Sequence, residues 1–300
     1  MFDMSIKNKR KSFFIIFCFI ALMSTLVYFI CELNDIGGAL AIPIAMVAAI
    51  VSAVGAYYNS DKIVLSMSNA RPATEEQNKR MIDSLEGLCI AAGHPMPKLY
   101  IVEDSAPNAF ATGINPEHAV ICVTTGLLDK LDDYELEGVL AHELSHIKNY
   151  DILLQTVAIV FVGFVSILSD LFFRISIRSS RRSNDNDNGG GAQAIILLIG
   201  LIFIVLSPIA ATLLQLALSR KREYLADSSA IELTRNPQGL INALLKISGD
   251  PEPLEVANKS TASMYICNPL KGKDSKGFLA KLYMTHPPIE DRVEALRHIS

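Results

Sequence analysis

Charge is scarce in this chain of 300 residues: only 19% are Asp, Glu, Lys or Arg, while 50% are apolar. Soluble domains ordinarily carry about 25% charged residues. The shortage, with a mean hydropathy of +0.32, argues for a membrane protein. Net basic charge is also lacking, the formal balance being −4, so no general positive field exists to attract nucleic acid. There is no Cys-x-x-Cys pair. The five cysteines, Cys18, Cys31, Cys89, Cys122 and Cys267, are odd in number and scattered, which suits reduced, buried thiols better than a disulfide framework. A bound metal must therefore be held by histidine and carboxylate. No internal repeat is visible.

What is present is four apolar runs. Phe13 to Cys31 holds nineteen residues without a charge, about 28 Å as a helix, close to the ~30 Å hydrocarbon core. Lys7, Lys9, Arg10 and Lys11 precede it as in a signal peptide, but the run is too long and no small-x-small cleavage site follows, so it reads as a retained anchor. Gly37 to Tyr58 is a second run, and the two form a hairpin whose basic start stays cytoplasmic. Ile152 to Ser169 and Ala194 to Ser219 are the third and fourth, joined by a polar, Gly-rich loop over 174–193. Arg174, Arg178, Arg181 and Arg182 oppose a full crossing of this second hairpin, whereas Arg220, Lys221 and Arg222 favour a cytoplasmic return. Either it crosses against a weak signal or it dips in and stays packed on protein. In both versions the segments before Ile152 and after Ser219 share one side, the cytoplasm.

These runs divide the chain into an N-terminal transmembrane hairpin (1–58), a first soluble part (59–151), a second hydrophobic hairpin (152–219) and a second soluble part (220–300). The soluble parts predict mainly α structure with a small β-sheet. A helix is expected up to Gly93, with Pro95 and Pro97 beyond. "KLYIVED" and "AVICVTT" are β-rich, and "SAPNAFATGINPEH" between them reads as turn plus edge strand. "LDDYELEGVLAHELSHIKN" follows as a helix with Asp132 and Glu135 spaced as a capping box. Helices are also expected from Arg220 to about Thr234, over "NPQGLINALLKISG", and after Pro288, where Ile289, Val293 and Leu296 share a face.

The chemistry lies in His142-Glu143-Leu144-Ser145-His146. Residues four apart share a helical face, so both imidazoles can reach one ion about 2.0–2.1 Å from each. Glu143 sits about 100° round from His142, near that ion but poorly placed to bind it, which suits a general base. Zinc would activate a water and polarise a scissile carbonyl, with Glu143 taking the proton and delivering it to the leaving amine. By multiplied frequencies an accidental match is a roughly one-in-a-hundred event in such a chain. A catalytic site needs a third protein ligand. Glu223, with Asp227 four residues later, offers one, and Asp227 could orient a ligand histidine. The bland reading of that pair is solvated charge beside a basic membrane flank. His94, His118 and His298 border turns or the terminus and read as surface residues.

These residues, the hairpin between them, and the late His286-Pro287 with Arg292 resemble the HtpX family of membrane zinc endopeptidases, relatives of the CAAX prenyl proteases. The resemblance covers nearly the whole chain, including the two N-terminal anchors and "PNAFATG". It implies a gluzincin-type metalloprotease domain anchored by up to four transmembrane helices, with one zinc per chain. His142, His146 and Glu223 are then the ligands and Glu143 the general base. It implies a bacterial inner-membrane enzyme that cleaves misfolded or damaged membrane proteins at the cytoplasmic face in quality control and the stress response. The Arg-rich, Asn/Asp/Gly-rich loop between the third and fourth runs departs from the family's pattern.

Substrate contacts are read partly from the strand pattern and partly from the same resemblance. An edge strand can hold an extended peptide by main-chain hydrogen bonds. "AFATGI", beginning with Ala109, Phe110 and Ala111, is the candidate strand, and Asn108 is similar in position to a substrate-contacting asparagine of the family, although an asparagine after Pro107 also suits a plain turn. His286 is similarly placed to a family histidine that steadies the oxyanion, against a plain His-Pro turn. Arg292 could anchor the site or be a helix-surface charge. Two other functions compete. A silent scaffold with a structural zinc has no use for Glu143 and would want four protein ligands. A transporter predicts paired intramembrane charges around a midplane site.

Overall fold

The N-terminal half of the chain begins with two apolar helices, α1 (Phe2–Leu33) and α2 (Ala41–Tyr58), packed against each other. They belong to a computed structural model that describes residues 2–33, 40–164, 220–257, 261–269 and 287–299. The expected fourth apolar run, the loop 174–193 and His286 lie outside the described residues. Among the described residues no single helix is long and apolar enough to cross a membrane. Two bent pairs pass together by length and composition, Ile42–Tyr58 with Ser60–Met67 at 65°, and Asp133–Lys148 with Asp151–Phe164 at 81°.

Capping chemistry sets the helices that follow α3 (Ser60–Met67). Thr74 opens α4 (Glu75–Ala92) with a capping box to Gln77, and Gly93 ends it in the left-handed region, where a residue without Cβ costs least. Thr124 caps α5 (Thr125–Lys130), and Asp132 forms the expected box with Glu135 to open α6 (Asp133–Lys148). After a tight corner comes α7 (Asp151–Phe164). Then come α8 (Arg220–Thr234), α9 (Pro237–Gly249), capped by Asn236 with Pro237 in its first turn, and α10 (Ile289–Arg297).

Four strands form one mixed sheet: β1 (Arg71–Pro72), β2 (Lys98–Val102), β3 (Ala109–Gly113) and β4 (Ala119–Thr124), in the order β1-β2-β4-β3. β2 and β4 run parallel, and β3 is antiparallel to β4 with Phe110 opposite Cys122. Alternation along β3 sends Ala109 and Ala111 into the main core with α4, α6 and α9, and Phe110 into a second core with Val64, Ile159, Met264 and Tyr265. The sheet is thus covered on both faces, which explains β4's unbroken burial.

Glycine sets the crossing of α6 and α9. A Cβ on Gly138 would lie 2.8 Å from the Leu240 nitrogen, and one on Gly239 would lie 2.5 Å from the Tyr134 oxygen. The helices approach as closely as their backbones allow. The described part of the third apolar run, 152–164, lies in α7, whose Ile152, Leu154, Ala158 and Phe161 are buried in protein.

Candidate metal centre

α6 is buried on nearly every side, and its informative residues are the polar ones inside: His142, Glu143, Ser145 and His146. Buried polar groups require partners. The His142 and His146 Nε2 atoms face each other at 3.2 Å, as the four-residue spacing predicts. α8 packs across them and brings Glu223, with Oε2 3.7 Å from His142 Nε2 and Oε1 3.7 Å from His146 Nε2. Donors about 2.0–2.1 Å from a tetrahedral ion stand ~3.3 Å apart. Three ligand atoms of these residues lie within 4.8 Å of one another, so two imidazoles and one carboxylate fit a divalent ion taking nitrogen and oxygen donors.

The far side of each ring is also fixed. Asp227 Oδ1 lies 2.9 Å from His142 Nδ1, and Asp151 Oδ2 lies 3.0 Å from His146 Nδ1. A proton shared on that side leaves each Nε2 lone pair facing the gap between the rings. Asp227 is reached from His142 as the i, i+4 reading of α8 requires. Asp151 was not anticipated, and its position depends on the corner after α6. On a continuous helix, five residues at about 100° each would place it ~140° away from His146. Tyr150 instead takes a φ of 57°, turning the chain so that α7 starts with Asp151 beneath the ring.

Arg292, from α10, is fully buried. It donates from Nε to Asp227 Oδ2 at 2.8 Å, from Nη2 to Asp227 Oδ1 at 2.6 Å and from Nη1 to the Ile266 carbonyl at 3.0 Å. Its Nη1 is 4.0 Å from Glu223 Oε2. It is therefore an internal group of the site and not a helix-surface charge. Glu223 and Asp227 are likewise buried, against the bland reading of solvated charge.

Burial and charge tune these groups in opposite directions. Burial pulls the His142 imidazole down to about 4, against the Asp227 hydrogen bond and charge, with Arg292 adding to the fall. Burial also acts to lower His146, but the Asp151 hydrogen bond and the Glu223, Asp151 and Glu143 charges prevail and raise it to about 9. Burial pushes the Glu143 carboxyl up to about 7, with His146 opposing and Glu223 assisting, and the Ala111 backbone N–H donates to it. Burial opposes ionisation of Asp227 too, yet Arg292 holds its carboxyl below the usual range. The centre concentrates acceptors and negative charge around the paired Nε2 atoms, a demand for positive charge that proton or metal can meet.

β3 is an edge strand, as expected, but its own chain engages that edge. The Ala109 N–H donates to Asn108 Oδ1, the Ala109 carbonyl accepts from Ile266, and the Gly113 N–H meets Thr156 Oγ1. Asn108 is buried, with Nδ2 donating to the Cys267 carbonyl at 3.1 Å and Oδ1 accepting from the Cys267 N–H. Ala109, Phe110 and Ala111 are buried as well. A peptide pairing with this edge must displace the Ile266 segment.

A helix carrying two histidine donors, a crossing helix carrying a glutamate donor and a carboxyl group beside them define a metallopeptidase. The chain belongs to peptidase family M48, whose profile matches residues 75–300, from the start of α4 to the end. Within that family it is similar to proteins called "Protease HtpX homolog". One, from Listeria monocytogenes serotype 4a (strain HCC23), is 47% identical over 315 residues that cover 100% of both chains. Another, from Dictyoglomus thermophilum, is 48% identical over 290 residues, covering 97% of this chain and 92% of its own. The crystal structure of S. mikatae Ste24p aligns with 99% of this chain and 67% of that one at 20% identity, with a TM-score of 0.49.

Proposed function

We propose that the protein is a membrane-integrated zinc endopeptidase that hydrolyses misfolded or damaged membrane proteins at the cytoplasmic face of a bacterial inner membrane, in quality control and the stress response. The observation that carries this reading is the spacing of His142, His146 and Glu223, 3.2–3.7 Å between facing donor atoms, with a carboxylate behind each ring. One zinc per chain is the proposed ion, because His₂Glu is a catalytic donor set for zinc. Bound there, zinc would supply Lewis-acid activation of water and of the scissile carbonyl.

The chain's own groups do the rest. Glu143 accepts a proton at its carboxylate and returns it to the leaving amine, held near the strand by the Ala111 N–H. Asp227 and Asp151 orient the rings, and Arg292 keeps Asp227 ionised. His286 is the proposed oxyanion donor. The backbone of Ala109–Ala111 is the proposed peptide edge, with Asn108 tying its start to Cys267. The catalytic domain is proposed to be assembled from 59–151 and 220–300, on either side of the second hydrophobic hairpin.

Membrane placement is supported by large apolar side chains that protein leaves mostly exposed. Phe13, Phe14 and Phe17 of α1, and Ile42, Met46, Val47, Val51 and Val54 of α2, are exposed. A patch of that kind marks a lipid or protein contact. The paired test is Glu143→Gln and Glu223→Ala in the full-length protein, with metal content and cleavage of an unfolded membrane-protein substrate both measured. Glu143→Gln should keep about one zinc per chain and lose on the order of 10²–10⁴ in turnover, whereas Glu223→Ala should lose the metal. Full turnover by Glu143→Gln would defeat the assignment.

A further inference from the structure

We infer that Asn8, on the N-terminal helix, is a positioning residue of the metal centre that acts on His146 through Asp151. Asn8, Ser12 and Ile15 are buried and recur at helical spacing, so one face of α1 is seated on protein while its Phe13, Phe14 and Phe17 stay uncovered. A primary amide buried on such a face must find acceptors. Asn8 Nδ2 donates to the Asn149 carbonyl at 3.0 Å and to Asp151 Oδ1 at 2.6 Å. Both acceptors belong to the corner between α6 and α7, some 141 and 143 residues away in sequence.

The two oxygens of Asp151 divide the work. Oδ2 takes His146 Nδ1 at 3.0 Å, and Oδ1 takes Asn8 and, at 3.3 Å, Arg222 Nη1. Arg222 stands next to Glu223 on α8. A carboxylate held at one oxygen alone can rotate about its Cβ–Cγ bond. Held at both, it fixes the plane in which His146 must lie. Lys9 adds a second tie, its ammonium 3.8 Å from the centroid of the Tyr150 ring, the residue whose left-handed backbone makes the corner. The first turns of the apolar helix are therefore built into the metal centre, and the orientation of His146 depends on the Asn8 amide meeting Asp151.

This inference rests on the reading of His142, His146 and Glu223 as metal ligands, and its test separates the two. Metal-stripped full-length protein in detergent is titrated with Zn²⁺ against a chromogenic chelator, and the thermal midpoint of the stripped protein is measured alongside. Asn8→Ala should weaken Zn²⁺ binding about tenfold, toward the lower end of the 10–100-fold that loss of an outer-shell partner costs. Asn8→Asp, of the same shape but bringing a carboxylate against Asp151, should weaken it at least as much. Ile15→Ala, which cuts the same seating without touching Asp151, should lower the midpoint and leave Zn²⁺ affinity within twofold. If Asn8→Ala binds Zn²⁺ as the unaltered protein does while His146→Ala does not, the inference fails and the site stands. An equal loss for Ile15→Ala and Asn8→Ala overturns it too, since packing alone would explain both. If His146→Ala leaves Zn²⁺ binding intact, the site reading itself falls.

Discussion

Asp227 shows how far one side chain's surroundings decide its effect. It serves two neighbours, orienting His142 through Nδ1 and neutralising a fully buried Arg292 through two hydrogen bonds. Removing one partner of a buried ion pair strands the other, at about 3–5 kcal/mol. Asp227→Asn should therefore lower the unfolding midpoint of the metal-stripped protein as well as weaken metal binding by about 10–100-fold. A variant that loses metal but unfolds at the original midpoint would show that Arg292 has another counter-charge. Cys122 gives a second check. It is fully buried in β4, and burial drives its thiol well above the ordinary range, so it should resist iodoacetamide in the folded protein and react on unfolding. Asp227 could be read from the i, i+4 pattern of "EYLAD". Asp151 could not, because a carboxylate at the border of an apolar run looks like a membrane boundary until the Tyr150 corner turns it toward His146.

Among the elements, α6 carries most of the site and its fit depends on Gly138. Adding a methyl there would press it against the backbone of Leu240, which has no side-chain freedom to yield. Gly138→Ala should destabilise by about 1–3 kcal/mol and shift α6 relative to α8, read as a lower unfolding midpoint together with weaker Zn²⁺ binding. An unchanged midpoint would mean that α9 moves freely. The start of α6 was legible because its chemistry is local, Asp132 with Glu135, whereas the caps at Thr74 and Asn236 emerged only in the structure. The parallel β2–β4 pairing was not legible, since strand order is decided by the helices that cover the sheet. Nor did the sequence reveal that segment 261–267 would lie against β3, its Ile266 N–H bonded to the Ala109 carbonyl.

Across the whole molecule the question is what covers the apolar surface. α1 and α2 leave phenylalanine, isoleucine, valine and methionine side chains largely exposed, while the described α7, equally apolar in sequence, is enclosed. Periodicity cannot separate these cases, because a lipid-facing helix and a core helix are both rich in the same residues. The protein should remain with the membrane fraction through alkaline carbonate extraction, and release into the supernatant would contradict integration. A chelator should abolish its peptide hydrolysis, and Zn²⁺ should restore it.

The sequence by itself determined that His142 and His146 share a helical face with Glu143 beside them, because the pitch of a helix converts a four-residue spacing into a shared face, and it marked where α6 begins, because caps act within a turn. Tertiary structure alone decided that Asp151 backs His146, that Arg292 is internal and that Asn8 of the first helix reaches the metal centre. Each of these contacts joins segments far apart in the chain, or depends on a single backbone corner, and neither leaves a period that a sequence can display.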